Sequence, residues 1–303
     1  MRVSTNQYHI TVNASLQDAN AQLEKLKSQM ATGLRMTLPS DDPIANVRLS
    51  RLEREEATLA QYRDNIGALR SRLSSNESLL SSFNNDLLQA RDLLVWAADG
   101  ANTSADLNAM ANGLVALRDS LFYTANSRDQ EGRYVFSGTL SNTKTIEYDP
   151  SAAAGARYTW QGNEEAQLVA VGNDVRQAAN VTLKEAADLL NSMDAALDQI
   201  STVGATANNP AVRAAVGAAL DGTDVALNAV STKIGRLGGA QNIVATLDDN
   251  HRNVSLANQQ AIIDFGNLDY SEAAVRLNGL TSAIQATQKA YGKVSQLSLF
   301  EVL

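Results

Sequence analysis

Leu52, Leu59, Ile66, Leu73, Leu80, Leu87 and Leu94 recur every seven residues, and Tyr62, Leu69, Phe83 and Ala90 follow members of that series by three. A sustained three-four alternation puts every apolar side chain on one stripe of an α-helix. The spacing predicts one long helix over 43–98, its heptad pattern interrupted by Glu55 and Asn76. Its start is written in Pro39-Ser40-Asp41-Asp42-Pro43. Proline is well tolerated at the first helical position and disfavours helical geometry in the residue before it. Asp42 is therefore expected to cap the helix, accepting from a free backbone N–H, with Asp41 beside it in the turn. The one stripe cannot offset the conformational entropy of so long a helix, so partner helices must cover more of its surface.

The same spacing recurs elsewhere. Leu16, Ala19, Leu23, Leu26 and Met30 predict a helix over 7–32, with Gly33 as its stop. Leu107, Met110, Leu114, Leu117 and Leu121 predict another over 104–128, after a turn and cap at 99–103. Residues 183–200 read as helical. Leu220, Leu227, Ile234 and Leu237, with Val230 and Val244, mark a long helix over 212–264. Leu277, Leu280, Ile284, Tyr291 and Val294 mark a final helix over 271–297. The pattern changes between these elements. Residues 133–138, 157–160 and 167–171 carry strand-forming side chains, and the last two runs read as a hairpin.

The expected fold is mainly α, a long antiparallel helical bundle or coiled-coil rod with a small inserted β-rich domain. The parts are an assembly helix and turn (1–42), the first half of the rod (43–132), the insert (133–200), the second half (201–270), and a final assembly helix with an apolar tail (271–303). The long central helices can bury their seams against each other. The terminal seams have no obvious cover within the chain. Leu16, Leu23, Leu26, Met30, Leu277, Leu280, Ile284, Tyr291, Val294, Leu297, Leu299 and Phe300 are thus expected to form an interface between subunits, the matched seams of the two terminal helices pairing as they pack around a tubular assembly. Gly33, Asp41, Asp42 and Pro43 form the turn and helix cap. An internal core is the blander reading of any such seam, and it is the one preferred for the central helices.

Composition narrows the function classes. The chain has no cysteine, which excludes disulfides and thiolate chemistry. Its net charge is −8 with no basic stripe, so nucleic acid is not an expected partner. The polar N-terminus lacks the apolar core of a cleaved signal, and the longest apolar run, 93–98, is too short to span a bilayer. No zinc, phosphate-loop or nucleophile-elbow motif is present. The two histidines, His9 and His251, lie in different segments and read as polar surface residues. No catalytic, metal or cofactor site is expected, and the chain does not read as an enzyme.

Met1-Arg2-Val3-Ser4-Thr5, Thr32-Gly33-Leu34-Arg35 and Pro39-Ser40-Asp41-Asp42-Pro43 resemble the N-terminal region of bacterial flagellar hook–filament junction proteins, also called hook-associated protein 3, which are relatives of flagellin. Residues 132–139, Gly-Arg-Tyr-Val-Phe-Ser-Gly-Thr, resemble that family's entry into its β-rich domain, and Leu297-Ser298-Leu299-Phe300 its C-terminal end. The similarity covers both ends well and the middle more loosely. Thr32 stands where the family more often has serine, which keeps the hydroxyl. The resemblance implies a structural subunit in a ring layer, touching its own copies, hook-associated protein 1 and flagellin. It also implies a cytoplasmic flagellar export chaperone at the C-terminal region, export through the flagellar type III channel without a cleaved signal, and residence outside the cell in the flagellum. Flagellin itself is the close alternative, because its terminal helices share the seam. The proline-flanked Ser40-Asp41-Asp42 and the Leu-Phe near the C-terminus favour the junction protein. A helical interaction module outside the flagellum is a second alternative.

Overall fold

The structure is a computed structural model that describes the backbone of residues 2–202 and 204–300 and the side chains of 6–202 and 204–294. In chain order it contains α1 (Arg2–Thr32), α2 (Pro43–Ala97), α3 (Ser104–Ala125), β1 (Ile146–Tyr148), β2 (Tyr158–Trp160), β3 (Leu168–Gly172), β4 (Val175–Ala178), α4 (Glu185–Ile200), α5 (Pro210–Gly266) and α6 (Tyr270–Phe300). The fold is mainly α with small β additions. Contacts divide the chain into two compact units. One is residues 60–251, and the other joins 1–59 to 252–303.

The 60–251 unit is built on the α2 seam. Ile66, Leu69, Leu73, Leu80, Phe83, Leu87, Ala90, Leu94 and Ala97 are all buried and belong to one apolar cluster. Asn76 falls on the same stripe and is also buried. It does not interrupt the helix, because its Nδ2 donates to the Ala179 carbonyl at 3.3 Å. A buried amide needs such a partner, and here the partner ties α2 to the chain just after β4. Leu107, Leu114 and Leu121 of α3 and Leu189, Leu190, Met193 and Leu197 of α4 fill the same cluster. Thr103 starts α3 with a reciprocal cap. Its hydroxyl accepts from Asp106 N–H at 3.3 Å, and the Asp106 carboxylate accepts from Thr103 N–H at 3.0 Å.

The α5 seam keeps Val230, Leu237 and Val244 of its expected members and moves aside at the others. Val216, Ala219, Thr223, Ala226, Val230, Leu237, Ala240 and Val244 are buried. Leu220, Leu227 and Ile234 only flank the cluster, half-buried. Alanine at the contact line lets helices approach closely, while the larger leucines cover the edge of the contact. His251, expected on the surface, is half-buried. It stacks on Tyr62 with ring centroids 5.7 Å apart, and its Nε2 lies 2.7 Å from the Val171 carbonyl.

The insert differs most from expectation. Residues 133–138 form turns, not a strand. Residues 157–160 and 167–171 do not pair. β2 pairs antiparallel with β1, setting Tyr158 opposite Tyr148, and β3 pairs antiparallel with β4, setting Leu168 opposite Ala178. Asp174 turns the β3–β4 hairpin with a left-handed φ of 57°, and a bulge lies between Ala170 and Gly172. The 134–138 turn is apolar because it is buried, with Phe136 at the core. Alternation cannot separate a buried turn from a strand when both carry aromatic and branched residues.

Asp194 of α4 locks the insert to the helices. It is 2% exposed and faces Arg118 of α3 at 3.3 Å and Arg157 at 3.2 Å. It also accepts from Gly155 N–H at 3.1 Å. Asn191, one turn earlier, accepts from Tyr158 N–H at 2.9 Å and donates to its carbonyl at 2.8 Å, acting as an extra edge for β2.

Gly138 and Gly132 separate two roles of glycine. Both hold a left-handed φ, 75° and 78°. A Cβ at Gly138 would stand 2.1 Å from the Asn163 carbonyl oxygen, whereas one at Gly132 would meet nothing within 4 Å. Gly132→Ala is expected to cost about 1–2 kcal/mol, the backbone strain alone. Gly138→Ala must also displace backbone, so urea denaturation should give a distinctly larger loss. Equal losses would show that the 138–163 contact is not tight.

Candidate assembly interface

In the second unit, α1 and α6 run antiparallel. The Tyr270 hydroxyl, at the start of α6, donates to the Met30 carbonyl near the end of α1 at 3.0 Å. Towards the other end, His9 packs edge-on against Tyr291 with ring centroids 5.3 Å apart. Between these points the two apolar stripes face each other. Leu26 and Ile284 are buried, as is Ala273. Leu16, Leu23, Met30, Leu277, Leu280 and Tyr291 are half-buried. The terminal helices therefore pair, as their matched seams led us to expect, and they supply each other with the internal cover that the layout of the chain had not made obvious. His9, expected as a surface residue, is half-buried here.

Two helices bury only one face each, and an isolated helix pair has little core to hold it. Apolar surface remains outside the shared seam. Val294 is 40% exposed, and so, to a greater degree, are Ile10 of α1, Leu34 and Leu38 of the turn, Ile44 and Val47 of α2 and Val275 of α6. The side chains of Leu297, Leu299 and Phe300 lie outside the described residues, as does the apolar tail from 301. Apart from Val294, the outward residues lie off the seams that the sequence pattern marks.

The turn between α1 and α2 is held by polar contacts. Gly33 stops α1 with φ 72° and donates to the Gln29 carbonyl at 2.8 Å. A short bridge pairs Leu34 with Asn267. In it Arg35 N–H reaches the Gly266 carbonyl at 2.8 Å, and Leu268 N–H reaches the Gly33 carbonyl at 2.9 Å. The α1–α2 and α5–α6 connections are thereby joined edge to edge. Asp42 Oδ1 accepts from Ala45 N–H at 3.0 Å at the start of α2, and its other oxygen meets Arg35 at 3.0 Å. Asp41 plays a different part. It accepts from Thr37 and Leu38 N–H, both at 3.1 Å, and from Lys25 Nζ of α1 at 2.7 Å. The Lys25 hydrogen bond, then those from the turn, hold its carboxyl at about 2. Lys25 and Tyr270 are the anchors that the seam pattern did not reveal. Among the described residues, no group of three or more His, Asp or Glu side chains is placed to hold a metal. No described helix is long and apolar enough to cross a membrane.

Residues 3–141 match the family model of the bacterial flagellin N-terminal helical region. The whole chain aligns with 99% of flagellar hook-associated protein 3 from Salmonella typhimurium strain LT2, at 26% identity over 317 residues. A solved structure from Vibrio parahaemolyticus, assigned to the flagellar hook-associated proteins, is 30% identical. The match covers 75% of this chain and 100% of that one, with a TM-score of 0.67. The flagellar junction protein FlgL from Legionella pneumophila shares the fold at 14% identity, covering 73% of this chain and all of its own, with a TM-score of 0.58.

Asp41 gives this region a pH signature. Its carboxyl value in the folded chain is depressed from 3.8 to about 2. Its stabilising contribution is thus complete above pH 3.8 and lost as pH falls through about 2. Carboxyl-resolved NMR should find Asp41 titrating near that lower value, and Lys25→Met should move it upward. A wild-type value near 3.8 would mean that the contact between α1 and the turn does not persist in solution.

Proposed function

We propose that this chain, which belongs to the flagellar hook-associated protein 3 family of flagellin-like proteins, forms the ring layer that joins the hook to the flagellin filament. The observation that carries this reading is an end-to-end alignment with hook-associated protein 3, combined with chain ends that fold together as one antiparallel helix pair. The family is one of flagellar structural proteins, and the role is non-enzymatic. In the ring each subunit would touch its own copies laterally, hook-associated protein 1 on the hook side and flagellin on the filament side. The apolar C-terminal segment suits a cytoplasmic export chaperone before passage through the flagellar type III channel. The final site would be the flagellum outside the cell.

The proposed interface is the α1–α6 pair. Leu16, Leu23, Leu26, Met30, Leu277, Leu280, Ile284 and Tyr291 hold the pair together. Val294 extends the seam toward Leu297, Leu299 and Phe300, which would continue it into a neighbour. Flagellin is the second reading, favoured by the family-model match over 3–141. Nearly complete coverage of hook-associated protein 3 is the reason to place it second.

Electron microscopy of a deletion strain separates these readings. A junction subunit predicts bare hooks with filament protein shed into the medium. Complete loss of filament protein means flagellin instead. Removing residues 1–32 or 271–303 should also abolish filament attachment and motility. Normal attached filaments in either truncation would sink the assembly role of the termini.

A further inference from the structure

The 60–251 unit carries a cleft of about 580 Å³ bounded by α2, the 128–135 turn and the β3–β4 hairpin. That volume falls in the range of sites that enclose a small ligand or a few side chains. Three guanidinium groups line it, Arg72, Arg128 and Arg133, against two carboxylates, Asp129 and Glu131. Arg133 occupies both carboxylates, at 3.3 Å and 2.5 Å. Asp129 also accepts from Glu131 and Arg133 N–H, at 3.0 Å and 2.8 Å, which fixes the turn. The remaining two arginines have no ion-pair partner among the described residues.

Both are nevertheless held in place. Arg128 lies 4.4 Å over the Tyr134 ring and donates to its hydroxyl oxygen at 2.5 Å. Arg72 is half-buried, and its Nη2 donates to the neutral Gln167 Oε1 at 2.7 Å. A guanidinium offers five N–H donors, so most of those on Arg72 are unspent in this contact. Burial, then the nearby Arg133 charge, lowers the proton affinity of Arg72, and the charges of Asp129 and Glu131 offset only part of that. A bound anion would relieve both costs.

We propose that this cleft binds the carboxylate side chains of an acidic peptide segment from a protein partner, with Arg72 as the principal anchor. The planar fork of a guanidinium matches a carboxylate through two parallel hydrogen bonds. Leu69, Val135 and Val169 give the cleft apolar wall that suits the methylene stem of a glutamate. A polyanion such as nucleic acid fits poorly, because the cleft is one cationic patch on a chain of net charge −8. The terminal helices take no part, so this inference stands apart from the junction role.

Isothermal titration of the full-length chain with tri-glutamate, tri-glutamine and inorganic phosphate at low salt tests it. Tri-glutamate is expected to bind at least about tenfold tighter than tri-glutamine, the value of one charge-assisted pair. Arg72→Gln should abolish that preference, and Arg72→Lys, which keeps the charge without the fork, should retain part of it. Circular dichroism establishes that the variants fold. Should Arg72→Gln fail to fold, the exposed Arg128→Gln serves instead, with a several-fold loss expected. Equal binding of the two peptides, tighter binding of phosphate, or unchanged affinity in the folded variants would overturn the proposal.

Discussion

The stripe of Ile66, Leu69, Leu73, Leu80, Phe83, Leu87, Ala90 and Leu94 is the constraint on which the larger unit rests. Each of these side chains is at most 2% exposed, and α3, α4 and α5 all contribute to the same cluster. Helical geometry carries the stripe along one face of α2, so a single periodic sequence can organise many neighbours. The insert depends on it too. Asn76, the polar member of the stripe, holds the strand segment at Ala179, and Asp194 ties α3 and the β1–β2 region to α4. Removing one partner of such a buried pair leaves a charge without compensation, which is why these contacts orient the insert strictly.

The smaller unit follows a different rule. Its helix pair shares one seam, and polar bonds from Lys25, Tyr270 and the Leu34–Asn267 bridge set how the pair begins. Apolar residues such as Ile10, Ile44 and Val275 stay exposed beside it. Exposed apolar surface of this kind marks contact with other protein. A subunit of an assembly gains from that arrangement, because the neighbours complete a core that one chain leaves unfinished.

The helices were legible because burial enforces periodicity. All six were placed within a few residues of their observed ends, except that α1 begins nearer the N-terminus. The register of α5 was legible only in part, at Val230, Leu237 and Val244. Leucines at 220 and 227 drew the rest of the seam one position aside from Ala219 and Ala226, which are fully buried. Alanine carries too little hydrophobic signal to reveal a close contact. The strand pairing was misread for a related reason. Burial lets 134–138 carry strand-like residues with no more than the single bridge of Tyr134 to Arg128, while β1, with Ile-Glu-Tyr, is too short to announce itself. For the terminal helices, the matched seams led to an expected pairing, and the two helices do pair. The polar anchors Lys25 and Tyr270 were not legible, because they carry no periodic signal.

That pairing has a temporal consequence. Residues 60–251 form one contiguous stretch of the chain, whereas the other unit joins 1–59 to 252–303. Loop closure across so many residues is entropically slow, and contacts of high sequence separation form late. A chain that emerges end-first would fold its middle as soon as that middle was free. The terminal pair would have to wait for the last helix. Completion of the terminal unit is thus coupled to arrival of the whole polypeptide, so a copy cut short before α6 would lack the partner that α1 packs against.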